Sequence, residues 1–228
     1  MPGRWPGDEA SLIAEQERLA SLDVPPWWPP ARRLVIGACF VCFSGDAGAE
    51  TGWAAAVLAE GHRLAGCAVC RAPVEHPYAP GLLALREGPL LERAVRSLPR
   101  LPDALIVNAG GRDHPRRAGL ALHLGAVLEI PSAGVTDRPL MAEGPQPGVA
   151  RLSAAPLKVA GETVGYRLVS RAGARPVAVH AAFRTDPESA RELVVRTLRR
   201  ARTPEPLRWA RREARLARAR GTASPLAE

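Results

Sequence analysis

Three apolar segments follow one another at residues 34–43, 53–58 and 63–72, separated by short stretches containing Gly, Asp and His. Segments of this length between turn-forming residues predict a meander of three antiparallel strands. Such a meander needs a helix-covered face to bury its apolar side. The chain has the material for one: 228 residues, 46% of them hydrophobic, are enough for one domain with a two- or three-layer core.

The rest of the chain alternates. Ahead of the meander, residues 9–22 place Leu12, Ile13, Leu19 and Leu22 at helical spacing, with Asp8 as N-cap and Gln16 on the rim of the apolar face. The Pro-Pro-Trp-Trp-Pro-Pro run at 25–30 stops that helix and predicts a stiff connector. Beyond the meander, a helix is expected over 81–98, interrupted near Gly88-Pro89, then a short buried strand at 104–107 that stops at a glycine-rich loop. A helix at 115–124, a strand at 126–130, and a hairpin pairing 158–159 with 166–169 across Gly161-Glu162 follow. A strand at 177–181 and a helix over 188–200 capped by Asp186 complete the pattern. Strands first in meander and then alternating with helices predict an α/β fold, one sheet with an antiparallel edge. The organisation expected is an N-terminal helix and connector at 1–30, a main domain at 31–209 and an Arg-rich tail at 210–228.

Charge is uneven. Residues 184–220 hold twelve Arg against five acids, +7 of the chain's formal +8. Such a segment favours a phosphate-bearing partner, because each guanidinium beside a phosphate releases condensed counterions. A solvated helix face explains it as well, since Lys158 is the only lysine and Arg replaces Lys throughout. No run of about 18 apolar residues is available to span a bilayer, and the N-terminus lacks a signal-peptide pattern, so a cytoplasmic protein with no membrane association is expected.

Two C-x-x-C pairs, Cys39/Cys42 and Cys67/Cys70, stand 24 residues apart, a count that matches zinc sites. Their context does not. Residues i and i+3 on a strand point to opposite faces, and the first and third strands of a meander lie two spacings apart, roughly 9–10 Å. Buried apolar thiols are expected, and no structural zinc.

Five further motifs occur in order: His76-Pro77-Tyr78-Ala79-Pro80-Gly81; Leu85-Arg86-Glu87; the Gly111–Gly125 stretch around His114-Pro115-Arg116-Arg117; Ile130-Pro131-Ser132-Ala133-Gly134-Val135; and Pro204-Glu205-Pro206-Leu207-Arg208-Trp209. Together they resemble the endonuclease V family, magnesium-dependent enzymes that recognise deaminated purines, chiefly inosine, and cut the strand nearby. The resemblance runs from the Gln16 helix to about Trp209 and implies a ribonuclease H-like mixed sheet flanked by helices. It implies that Tyr78 and Pro80 belong to a wedge beside the target base, where an aromatic ring replaces lost stacking. Gly111, His114, Arg116 and Arg117 would lie near the substrate. Read from the residues alone, Tyr78 is better explained as a core tyrosine, and the two arginines as a solvated helix start.

The resemblance also implies three metal-binding acids, and here the sequence departs from it. The first position holds Cys39, the second Glu87 and the third Asn108. The formal ligand charge therefore falls from −3 to −1, and hard magnesium disfavours a thiol. Asp137 stands at a family lysine, Phe183 near a late family histidine, and Gly110 at a loop histidine. Asp46, Glu50 and Asp113 are neighbouring acids, Asp113 being the one placed to be recruited. The leading expectation is a protein that binds inosine-containing DNA or RNA and cleaves weakly or not at all. The alternatives are an active magnesium-dependent deoxyinosine endonuclease using Glu87, Asn108 and Asp113, and a non-catalytic protein-binding scaffold.

Overall fold

The computed structural model describes residues 3–45 and 50–221. Its centre is an eight-stranded mixed sheet in the order β3-β2-β1-β4-β5-β8-β7-β6. Strands β1 (Val35–Ser44), β2 (Thr51–Glu60) and β3 (Arg63–Pro73) form the expected antiparallel meander. Strands β4 (Ala104–Val107) and β5 (Ser132–Thr136) continue the sheet parallel to β1. Strand β8 (Val177–Ala181) pairs antiparallel to β5, and the hairpin of β6 (Ala154–Val159) and β7 (Glu162–Leu168) closes that edge.

Helices cover both faces. Helix α1 (Glu9–Ala20) starts where Asp8 accepts the Ser11 amide at 2.9 Å. With α2 (Leu83–Arg96) and α3 (Leu120–Leu128) it packs on one face through Leu12, Leu91, Leu105 and Leu122. Helices α4 (Pro187–Val195) and α5 (Glu205–Arg220) cover the other, burying Leu193, Leu207 and Ala210 against Ile36, Ala38 and Ile106. Strand alternation decides which side chain goes where. Val35, Cys39 and Val41 face α2, whereas Ile36, Ala38 and Phe40 face α4 and α5.

Six expectations are corrected. The hairpin turns at Ala160-Gly161, so Lys158 pairs with Thr163 and Val159 with Glu162, where residues 166–169 were expected. Helix α2 runs through Gly88-Pro89 without interruption. Gly88 fits because the Trp5 ring lies where a Cβ would stand. Pro89 gives up one helix bond, a cost the buried row of Leu90, Leu91, Ala94 and Val95 offsets. The helix expected at 115–124 begins only at Leu120, after Arg117 at φ 57° and the Gly119 cap, and it absorbs most of the strand expected at 126–130. Glu129, in the left-handed region at φ 58°, ends it, and the strand follows at Ser132. Helix α4 stops at Val195, and a separate helix α5 crosses the 209/210 boundary. Ala210, Ala214 and Ala217 pack against the sheet, so residues 210–220 belong to the body of the domain.

The cysteine geometry is as the strand rule requires. Cys39 and Cys70 lie in the cluster under α2, whereas Cys42 and Cys67 pack beside Ala214 and Ala217 of α5. All four are free thiols. Among the described residues, no helix is long and apolar enough to cross a membrane.

Candidate nucleic-acid interface and acid site

The middle of β1 and the C-terminal end of β4 meet at a cavity of about 220 Å³ bordered by Cys39, Glu87, Asn108 and Tyr78. The three positions singled out from the sequence are thus brought together, from three different elements. Glu87 is the one carboxylate among them. Burial, only partly opposed by Arg86, pushes its pKa up to about 7. Burial likewise raises the Cys39 thiol far above its ordinary value, with Glu87 adding to the shift, so no thiolate forms there near neutral pH. Asn108 continues the alternation of β4 after Val107, which turns its amide toward α5. There Arg211 Nη2 donates to Asn108 Oδ1 at 3.1 Å. Among the described residues, no group of three or more His, Cys, Asp or Glu side chains is arranged to hold a metal ion.

The neighbouring acids are occupied. Asp113 is fully buried and accepts three backbone amides, Leu140 on one oxygen and Met141 and Ala142 on the other, each at 2.7 Å. It fastens the segment after β5, and both carboxylate oxygens are turned away from ligand duty. Glu50 pairs with Arg86 at 2.8 Å. Asp46 lies outside the described residues.

A second cavity of about 280 Å³ opens beside the first, with Asn108 and Tyr78 bordering both. Tyr78 stands at its rim, 68% exposed, which removes the core-tyrosine reading. Behind Tyr78 the chain turns at Gly81, φ 75°, and the Gly81 carbonyl accepts Gln16 Nε2 at 3.1 Å, His114 Nε2 at 3.2 Å and Arg116 Nη2 at 2.8 Å. Because His114 Nδ1 accepts the Arg116 amide, Nε2 must carry the proton. Burial, with the nearby Arg116 charge, depresses the His114 pKa to about 4. Gln16 Oε1 also accepts from Arg116 Nε, closing the ring of bonds. Gln16, His114 and Arg116 therefore spend donors on holding the turn that carries Tyr78 and Pro80. Arg117 pairs with Glu162 across the hairpin. Gly111 lies against the end of β8, where any Cβ would run into the Ala181 carbonyl.

Sequence reading missed the floor of this cavity. His180 Nε2 and Thr136 Oγ1 are 2.7 Å apart there, and His180 Nδ1 faces Asp113 at 3.5 Å. Complete burial depresses His180, so this contact joins a carboxylate to a neutral ring and is no ion pair. The available signal was a lone histidine in the otherwise apolar strand at 177–181. Asp137, next to this floor, pairs with Arg202, and Phe183 packs against the apolar cluster under α2.

The family model described as Endonuclease V matches residues 26–212. Endonuclease V of Xanthomonas campestris is 36% identical over 210 residues, 91% of this chain and 88% of that protein. This chain belongs to the endonuclease V family. The structure of endonuclease V from Streptomyces avermitilis superposes with a TM-score of 0.85 at 32% identity, covering 95% of this chain and 96% of that one. Endonuclease V of Ciona intestinalis, solved with a 23mer DNA containing an inosine, shares the fold at a TM-score of 0.78 and 19% identity, covering 92% and 97%. The mixed sheet and its flanking helices are therefore those of endonuclease V.

Proposed function

We propose that this protein is an endonuclease V relative that binds nucleic acid containing deaminated purines, inosine foremost, and has lost most or all strand cleavage. One observation carries the reading: the cavity bordered by the three family acid positions holds a single carboxylate, Glu87. A hard dication needs several charged oxygens to stay bound and polarise water. Here the second donor is a buried thiol that resists ionisation, and the third is an amide oxygen already held by a guanidinium. These residues do not fit magnesium.

Binding has better support. The Ciona protein was solved with inosine-containing DNA, and the exposed Tyr78 beside a cavity of about 280 Å³ suits a ring that fills the gap left by an extruded base. The active-enzyme alternative needs Asp113 as a recruited ligand, and three amides already hold that carboxylate.

The test is incubation of the full chain with inosine-containing and inosine-free strands, single and double, with magnesium or manganese. Binding that prefers inosine, without scission, is expected. Robust turnover abolished by Glu87→Ala overturns the reading. Absence of binding to every probe at low salt leaves a protein-binding scaffold in its place.

A further inference from the structure

Helix α5 presents more positive charge to this site than its carboxylates neutralise. An open groove of about 500 Å³ beside the helix is lined by Arg202, Arg208, Arg211, Arg212 and Arg215. Three of these have partners: Arg202 holds Asp137, Arg208 holds Glu205 and Arg212 holds Glu213. Arg211 and Arg215 have no carboxylate partner among the described residues. Both lie over the Phe40 ring, at 5.2 and 5.9 Å from its centroid, which fixes two like charges side by side on the apolar surface of β1. Burial and the repulsion of Arg215 pull the Arg211 pKa below its ordinary value, and the buried Arg211 Nε has no hydrogen-bond partner among the described residues.

The location matters as much as the charge. Arg211 reaches Asn108 Oδ1, and Asn108 borders both cavities, so the guanidinium stands at the mouth of the acid site. Phe40, which both guanidinium groups overlie, borders the acid-site cavity, whose one carboxylate is the buried, weakly acidic Glu87. A dication entering meets a repulsive field; an anion meets two guanidinium groups that have no carboxylate partner among the described residues. Arginine forks match the oxygens of phosphate.

We infer that Arg211 and Arg215 form a phosphate seat for a nucleic-acid strand, so that the cation anchoring the backbone beside Asn108 is a guanidinium in place of a metal ion. The inference rests on the nucleic-acid reading above and adds to it that binding is independent of divalent metal. Asn108 helps by holding Arg211 in place without neutralising it, which an aspartate at 108 would do. Arg208 and Arg218, three residues to either side of the pair along the helix, extend the same basic stripe.

The experiment measures affinity of the full chain for an inosine-containing single strand and its inosine-free counterpart, in excess EDTA, across a salt series. Wild type is expected to bind under these conditions, with affinity unchanged when magnesium replaces EDTA at matched ionic strength. The double variant Arg211→Gln/Arg215→Gln should weaken binding of both strands by about tenfold or more and lower the slope of log affinity against log salt by about one to two, leaving the preference for inosine in place. Arg215→Gln alone, which removes a side chain that holds no hydrogen bond among the described residues, should lower the slope by about one and covers the case in which the double variant does not fold. An unchanged salt slope in folded variants that still bind overturns the seat while leaving the function reading intact. So does binding by wild type that appears only when magnesium is added. Wild type that binds neither strand in either buffer overturns both. Inorganic pyrophosphate at equal concentration should compete poorly, and full competition would assign the seat to a free anion instead.

Discussion

Asp113 accepts the Leu140 amide at 2.7 Å, twenty-seven residues away in sequence, and through this bond and its two neighbours it fixes the segment that walls the larger cavity. A carboxylate used in this way is structural. Asp113→Ala would orphan one buried amide, Ala142, and two part-buried ones; the buried one alone is worth about 1–3 kcal/mol, so a loss of about 2–3 kcal/mol is expected in denaturant unfolding. A variant of near wild-type stability with altered metal affinity would show instead that Asp113 is free to act as a ligand.

Restoring the acids tests whether the ligands alone were lost. Cys39→Asp places a carboxylate in a fully buried position, so the single variant should lose several kcal/mol of stability without metal. Adding Asn108→Asp creates a partner for Arg211 as well as for a metal. Magnesium-dependent cutting of an inosine-containing strand should therefore rank wild type below the double variant, and the double variant below the triple that also carries Arg211→Gln. Equal activity in double and triple variants would mean that Arg211 does not compete with the ion.

The turn at Gly81 should depend on its three donors. Gln16→Ala removes one of them and also frees Arg116, which is expected to cost about 1–2 kcal/mol. Faster hydrogen exchange confined to residues 78–82 should accompany it. Exchange that rises uniformly along the chain would place the role of Gln16 in global stability alone.

His114 sets a pH dependence whose sign is fixed. Its pKa is about 4 when folded against the ordinary 6.5, so the unfolded chain takes up a proton more readily. Its contribution is complete above pH 6.5 and is lost as pH falls through 4, at most about 3 kcal/mol. His114→Asn should reduce the slope of the stability profile between pH 6.5 and 4, leaving the share of the buried His180 and His123; an unchanged slope over that window would remove His114 as a contributor.

Much of the fold was legible because its signals are local. The meander and β4 carry alternation or short apolar runs bounded by turn residues; the β6–β7 hairpin was legible in place but not in register, because its turn is one residue earlier and β7 begins at Glu162. The misreadings have physical causes. Every residue of α3 is buried, so it has no polar face to give a 3.6-residue period, and its end was read as a strand. Helix α5 buries mainly alanines, Ala210, Ala214 and Ala217, whose weak hydropathy is drowned by its arginines. At the site, Cys39, Glu87 and Asn108 were found through motif order. The contact of Arg211 with Asn108 spans 103 residues and leaves no trace in either segment.

The four thiols, split between the two sides of the sheet, make this chain its own conformational reporter. Cys42 and Cys67 sit beneath α5 and would become open to alkylation when that helix lifts, whereas Cys39 and Cys70 would react only once the layer under α2 comes apart. Counting labelled sulfurs over time would then separate peeling of the arginine-bearing helix from collapse of the whole molecule, with no probe added to the sequence.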